Sequence, residues 1–155
     1  MRVLVQRVSR AAVRVGGQTV AEIGAGFLLL VGVGREDRPG EPEWLAGKVV
    51  NLRVFEDRAG KMNLALAQAG GEVLVVPQFT LYGDARGGRR PSWDGAAPPD
   101  VAEKRVEAFA RALEGLGATA RRGAFREHME VELVNDGPVT LLLDGADAPA
   151  GTRRE

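Results

Sequence analysis

The run Phe27-Leu28-Leu29-Leu30-Val31-Gly32-Val33 carries no polar residue on either alternating face, which marks it as a central strand of a sheet. Its neighbours fit a sheet built around it. Arg2 to Val15 sets Val3, Val5, Val13 and Val15 among polar partners at period two, the pattern of a half-buried strand. Gly16-Gly17 is a tight-turn signal, Thr19 to Ile23 a return strand, and Gly24-Ala25-Gly26 a second turn into the apolar run. Glu72 to Thr80, Ala118 to Gly123, Met129 to Asn135 and Val139 to Leu143 read as further strands. Between them, Glu43 to Phe55 spaces Leu45, Val49, Leu52 and Val54 or Phe55 as a helix just after Pro42. Asp100 to Leu116 carries Val101, Val106, Phe109, Leu113 and Leu116 on one face, with Asp100 as its cap and Gly115 and Gly117 as its stop.

Strands come first and last, with two separated helices and no regular β-α alternation, so the expected class is α+β and not a doubly wound parallel sheet. A chain of 155 residues makes one domain, large enough to bury roughly two thirds of its unfolded surface. We expect a single domain over residues 1–144, with mixed or antiparallel sheets forming a barrel-like core and two main helices on one side. Residues 145–155, rich in Ala, Gly and charge, read as a flexible tail.

Several chemistries are excluded by inventory. There is no cysteine, hence no disulfide, thiolate nucleophile or cysteine metal site. Histidine occurs once, at His128, and serine only at Ser9 and Ser92, neither in a nucleophile-elbow context. One histidine with scattered carboxylates gives no zinc spacing, so no metal is expected. Gly24-x-Gly26 lacks the third glycine of a dinucleotide fingerprint, since Leu29 stands there. Acidic and basic residues balance at 21 each, so RNA contact must rest on a local basic patch. One such patch joins Arg86, Arg89 and Arg90 to Tyr82 and Trp93 in the longest irregular segment, Gly83 to Pro99. Charge breaks the N-terminal apolar run early and no segment reaches spanning length, so a cytoplasmic protein without membrane contact is expected.

Two stretches carry more information. Asn135-Asp136-Gly137-Pro138-Val139-Thr140 sits between two apolar runs, where Gly137 permits close approach and Pro138 fixes φ. It reads either as an ordinary hairpin loop or as a rigid probe made of main chain. Pro77-Gln78-Phe79-Thr80-Leu81 ends a β-rich run in polar and aromatic residues. Thr80 could attack or orient a substrate, or simply fill a strand. Together the two stretches resemble the D-aminoacyl-tRNA deacylases, in which a Ser-Gln-Phe-Thr-Leu motif faces an Asn-x-Gly-Pro-x-Thr motif. Gln6-Arg7-Val8, Gly60-Lys61-Met62-Asn63 and Arg90-Pro91-Ser92 extend the resemblance to about Asp144.

The resemblance implies hydrolysis of the ester between a D-amino acid and the tRNA 3′ end by a homodimer without cofactor or metal, and without DNA as a partner. It implies that Gly137 and Pro138, joined by a cis peptide, enter the partner's pocket and meet the substrate's α-amino group. Arg7 would brace that turn, and Asn135 and Thr140 would complete the substrate-binding set. Gln78, Phe79 and Thr80 would line the catalytic pocket, the chemistry resting on main-chain groups and the substrate's own 2′-hydroxyl. Two departures from the pattern stand out. Pro77 replaces the usual serine, as in a sister lineage that clears a small L-amino acid but lacks the phenylalanine present here as Phe79. Arg126-Glu127-His128 replaces a stretch that is commonly small. A non-catalytic RNA-end or ribosome-associated module would use the same arginines and aromatics without fixed Gly-Pro geometry.

Overall fold

A computed structural model describes residues 1–151. Its spine is β1 (Arg2–Val15), one edge of which pairs antiparallel with β8 (Glu130–Asp144) from Arg2↔Asp144 to Arg14↔Glu130. The other edge is divided. β3 (Gly26–Gly32) takes Arg2 to Val8, and β2 (Gln18–Ile23) takes Ala11 to Val15. β6 (Glu72–Pro77) then runs parallel to β3, and β7 (Ala120–Arg122) parallel to β6. The mixed sheet curls into a nearly closed barrel with β3 central, as its apolar run requires.

Alternation assigns the two faces. Phe27, Leu29, Val31, Val73 and Val75 pack on Leu45 and Val49 of α1 (Glu41–Asn51) and Phe109 and Leu113 of α2 (Pro99–Gly115). Both helices therefore cover one side of the sheet. Leu28, Leu74 and Val76 point the other way, into a second core with Val8, Ala11 and Val13. Val3 and Val5 lie on the helix side and Val8 on the opposite side, as period two dictates. Ala11 and Val13 stay with Val8 because the register slips between Val8 and Arg10, and a one-residue slip exchanges the faces.

Some boundaries move from those expected. α1 ends at Asn51, not Phe55, because Leu52 is extended, and Phe55 starts β4 (Phe55–Glu56), which pairs with β5 (Met62–Leu64). α2 begins at Pro99, placing Asp100 in the first turn, where its charge suits the helix dipole without capping it. β6 stops at Pro77 and Phe79–Tyr82 form a 3-10 turn, so Gln78 to Thr80 are not strand. The chain does not fray at 145. Gly145–Asp147 make another 3-10 turn, Gly145 and Ala148 are buried, and Arg38 donates to the carbonyls of Gly145, Ala146 and Ala148 at 3.1, 3.2 and 3.0 Å. Residues 152–155 of the expected tail lie outside the described residues.

This corner is held by charge. The Met1 ammonium lies between Asp37 and Glu41, donating to Glu41 Oε2 at 2.6 Å, while the Gly145 N–H donates to the Met1 carbonyl at 2.6 Å. Glu41 also accepts from the Arg38 N–H at 3.0 Å. Burial alone would raise its pKa, but these hydrogen bonds and the ammonium's charge outweigh burial and hold it below the usual glutamate value. Among the described residues no helix is long and apolar enough to cross a membrane.

Candidate active site

The Asn135–Thr140 stretch is not a hairpin. Both of its flanks pair with the same strand in the same direction, Thr140 opposite Gln6 and Asn135 opposite Val8. Between these pairs β1 has one residue, Arg7, and β8 has four, Asp136 to Val139, so the extra residues are pushed out as a large bulge. Its base is pinned from several directions. Asn135 Nδ2 donates to the carbonyls of Arg7 and Val139, both at 3.0 Å, and accepts at Oδ1 from Thr140 Oγ1 at 3.4 Å. The Gln6 side-chain amide reaches Thr140 Oγ1, also at 3.4 Å. Buried Arg7 donates from Nε to the Asp136 carbonyl at 3.1 Å and from Nη1 to the Val54 carbonyl.

The tip is bare. Gly137 has φ +126° and joins Pro138 through a cis peptide, as expected, and both residues are exposed. A Cβ on Gly137 would meet Arg7 Nη2 and Val139 Cγ2, each at 2.9 Å. Arg7, Asn135 and Thr140 thus hold the bulge from below, while Gly137 and Pro138 present main chain to the outside.

The second motif opens a different feature. Pro77, Gln78 and Phe79 form one wall of a cleft of about 650 Å³, with Trp93 and Ala97 from the loop before α2 facing them. That loop is tied to the sheet, since the Ala97 N–H donates to the Val33 carbonyl at 2.9 Å and the Arg35 N–H to the Gly95 carbonyl at 3.0 Å. Phe79 is 56% exposed and meets Trp93 edge-on at 5.3 Å, an apolar pair left open at the cleft wall. Thr80 stands outside the lining in the 3-10 turn, where its hydroxyl accepts a hydrogen bond from the Gln78 amide. The first N–H groups of such a turn have no carbonyl within it to bond.

The structure brings Gln78 and Phe79 together at the cleft, and Arg7, Asn135, Gly137, Pro138 and Thr140 together at the bulge. It does not bring the two groups together. None of the bulge residues lines the cleft. Gln78 is bonded to β3 at Val31, four residues from the Phe27 that faces Arg7, or roughly 13 Å along the strand.

The basic loop is more occupied than its sequence suggests. Arg2 lies over the Tyr82 ring at 4.5 Å and the Tyr82 hydroxyl donates to Asp37, so one face of this ring and its hydroxyl are already engaged. Burial, reinforced by Asp37, pushes its phenol well above the ordinary value. Arg86 is turned onto Asp84, whose carboxyl its hydrogen bonds lower to about 2. Arg89 and Arg90 remain exposed at the tip. No hydrogen bond joins either serine to His128, and no cluster of three metal-ligating side chains occurs among the described residues. His128 lies on the cleft rim with Arg126 and Glu127. Arg35, Phe125 and Met129 also line the cleft, and the sequence marks none of them as a pocket residue. The only signal for the last two was their i, i+4 spacing around the charged trio.

The profile of the D-Tyr-tRNA(Tyr) deacylase family matches residues 4–144. The D-aminoacyl-tRNA deacylase of Desulforudis audaxviator is 57% identical over 144 residues, covering 93% of this chain and 97% of its own. That of Thermomicrobium roseum is 56% identical over 152 residues, covering 98% and 99%. Among solved structures, a c-Myc DNA unwinding element binding protein superposes with a TM-score of 0.88 at 38% identity, covering 97% of this chain and all of its own. A probable eukaryotic D-amino acid tRNA deacylase shares the fold, with a TM-score of 0.75 at 16% identity over 92% of this chain and 97% of its own. The chain belongs to the D-Tyr-tRNA(Tyr) deacylase family, and the resemblance read from its two motifs is borne out.

Proposed function

We propose that the chain hydrolyses the ester joining a D-amino acid to the terminal ribose of tRNA, releasing the free amino acid and the tRNA, and that its bulge acts as the chirality filter. The observation that carries this reading is the four-residue bulge, pinned at its base by Asn135, Thr140 and Arg7 and bare at Gly137-Pro138. A probe so held is suited to exclude a shape. In one chain it lies away from the cleft, so the reading requires a second copy whose bulge enters the cleft beside Phe79, making the working form a homodimer.

Water attacks the ester carbonyl, and the ribose oxygen leaves with a proton. No cysteine exists to form an acyl-enzyme, and among the described residues neither serine has a histidine partner. The charge that develops on the carbonyl oxygen is met by the first N–H groups of the Phe79–Tyr82 turn, which cost no reorganisation because the turn is already built. The substrate's 2′-hydroxyl supplies the nearby proton-transfer group. Gln78 orients the turn through Thr80.

The test is single-turnover hydrolysis of D-Tyr-, D-Asp-, Gly-, L-Tyr- and L-Ala-tRNA. A wall that works by exclusion admits glycine, which has no side chain to clash, so the D-substrates and Gly-tRNA are expected to be cleaved while L-Tyr-tRNA survives; cleavage of L-Ala-tRNA would show that Pro77 widens the pocket. Sparing of glycine alone would show that the D side chain is gripped positively and would sink the exclusion mechanism. One structural relative is named for DNA binding. Tight binding of charged tRNA with its ester intact would therefore favour a nucleic-acid-binding module instead.

A further inference from the structure

Arg126 is the one non-glycine residue with positive φ among the described residues, at +63°. This left-handed conformation suits glycine or asparagine and is costly for a long side chain. The turn Ala124 to Glu127, closed by the Glu127 N–H to the Ala124 carbonyl at 3.4 Å, sets this φ at its third residue, but it gives the arginine side chain no role: Arg126 is exposed and makes no side-chain hydrogen bond or ion pair among the described residues. Its position is informative. The residue lines the 650 Å³ cleft, between Phe125 and Met129 of the apolar lining in sequence, while Arg35, the other arginine of the lining, is turned to the Asp94 carbonyl at 2.6 Å. A strained residue beside an open site points to function when the surrounding chain gives it no other role.

We infer that Arg126 is a substrate-binding residue that holds an anionic group of the aminoacyl-RNA at the cleft mouth. A guanidinium left without a partner at the rim is available to a substrate, and its planar fork fits phosphate and carboxylate oxygens alike. The apolar lining below it, Phe79, Trp93, Phe125 and Met129, fits an unstacked base or a side chain. The anion at the rim is then either a phosphate of the RNA backbone or the carboxylate of an acidic amino acid. This inference rests on the deacylase reading.

Arg126→Gly removes the cation and supplies the residue that this φ favours, so the variant is expected to fold as well as the wild type. Arg126→Lys keeps the charge and serves as the rescue. KM and kcat are measured for D-Tyr-tRNA and D-Asp-tRNA at several salt concentrations. If the anion is a phosphate, Arg126→Gly raises KM for both by roughly three- to ten-fold at low salt, leaves kcat nearly unchanged and flattens the log–log salt slope by about 0.7. Lysine restores most of the loss. If it is a side-chain carboxylate, KM rises for D-Asp-tRNA alone. Unchanged KM and salt slope for both substrates would overturn the assignment. Should the wild type cleave neither substrate, the deacylase reading fails, and an unchanged affinity of Arg126→Gly for both D-Tyr-tRNA and D-Asp-tRNA would separately overturn the role of Arg126.

Discussion

Replacing Gly137 by alanine tests the bulge most directly, because the new Cβ has nowhere to go. At φ +126° an L-residue is strained, and the added carbon would lie 2.9 Å from Arg7 Nη2, 2.9 Å from Val139 Cγ2 and 3.1 Å from the Val139 backbone nitrogen. The arginine end and the valine methyl can yield a little, but the backbone nitrogen cannot. The strained backbone costs roughly 1–3 kcal/mol. The tip is exposed and can relax outward, so we expect a stability loss of about 1–2 kcal/mol, near the low end of that range. For a chain of this size that lowers Tm by roughly 2–8 °C. A domain with the usual margin of about 5–15 kcal/mol stays folded at 25 °C. Relaxation also moves the Gly137-Pro138 main chain, and a misplacement of about 1 Å near a reacting centre can cost roughly 100-fold in rate. Gly137→Ala should therefore melt a few degrees early yet lose about two orders of magnitude in single-turnover hydrolysis of D-Tyr-tRNA, or gain activity on L-Tyr-tRNA. Thermal melts and the two rates, measured on one preparation, decide it. A lowered Tm with both rates within about two-fold of wild type would show that the bulge is structural only and would refute the reasoning.

Two further outcomes follow from the same structure. Thr80→Ala should keep hydrolysis within about ten-fold of wild type, because Thr80 lies outside the cleft lining and its hydroxyl is engaged with Gln78; a loss of several orders of magnitude with binding intact would assign it a direct chemical role. Glu41, with its pKa depressed in the fold, contributes stability that is fully present above its ordinary value of 4.5 and is lost as pH falls through the lower folded value, so Glu41→Gln should melt earlier than wild type at pH 7 and show a flatter loss of Tm below pH 4.5; parallel acid limbs in the two proteins would contradict this.

The strands and helices were legible because their signals are local. Alternation in Arg2 to Val15, the unbroken apolar run at Phe27 and the spacing of Phe109 and Leu113 each need a window of only a few residues. The departures arise where a partner distant in sequence decides. Asn-Asp-Gly-Pro has the same turn chemistry in a hairpin tip and in a bulge, and only the pairing of both flanks with β1, more than a hundred residues away, separates the two. Likewise one aromatic face of Tyr82 is lost to Arg2, and Gly145 is ordered by Met1 and Arg38. The β-propensity of Phe79 and Thr80 suggests strand, but the ladder to β3 makes its last bond from the Gln78 N–H to the Val31 carbonyl, and the next acceptor along β3, the Val33 carbonyl, is taken by Ala97. The residues of the bulge were named from the motif, as were Gln78 and Phe79. Arg35, Phe125 and Met129 were not singled out for the cleft, because it is assembled from loops whose sequences carry no period.

The difference between hairpin and bulge bears on what the motif can do. A hairpin tip is anchored on one side only and sways about its last cross-strand pair. A bulge within β8 has the ladder to β1 resuming on both sides, at Gln6–Thr140 and Val8–Asn135, so its ends are fixed in a lattice about 4.8 Å across. Asn135 then closes the loop on itself by bonding the Val139 carbonyl, leaving the freedom of a free turn largely removed before any substrate binds. Discrimination between mirror images by exclusion depends on that stiffness, because a wall that yields by a few tenths of an ångström admits both hands. In the proposed reading the supports therefore matter as much as the tip. Asn135 and Arg7 need not touch the amino acid at all: by holding Gly137 and Pro138 still, they fix how large an energetic penalty an L side chain meets.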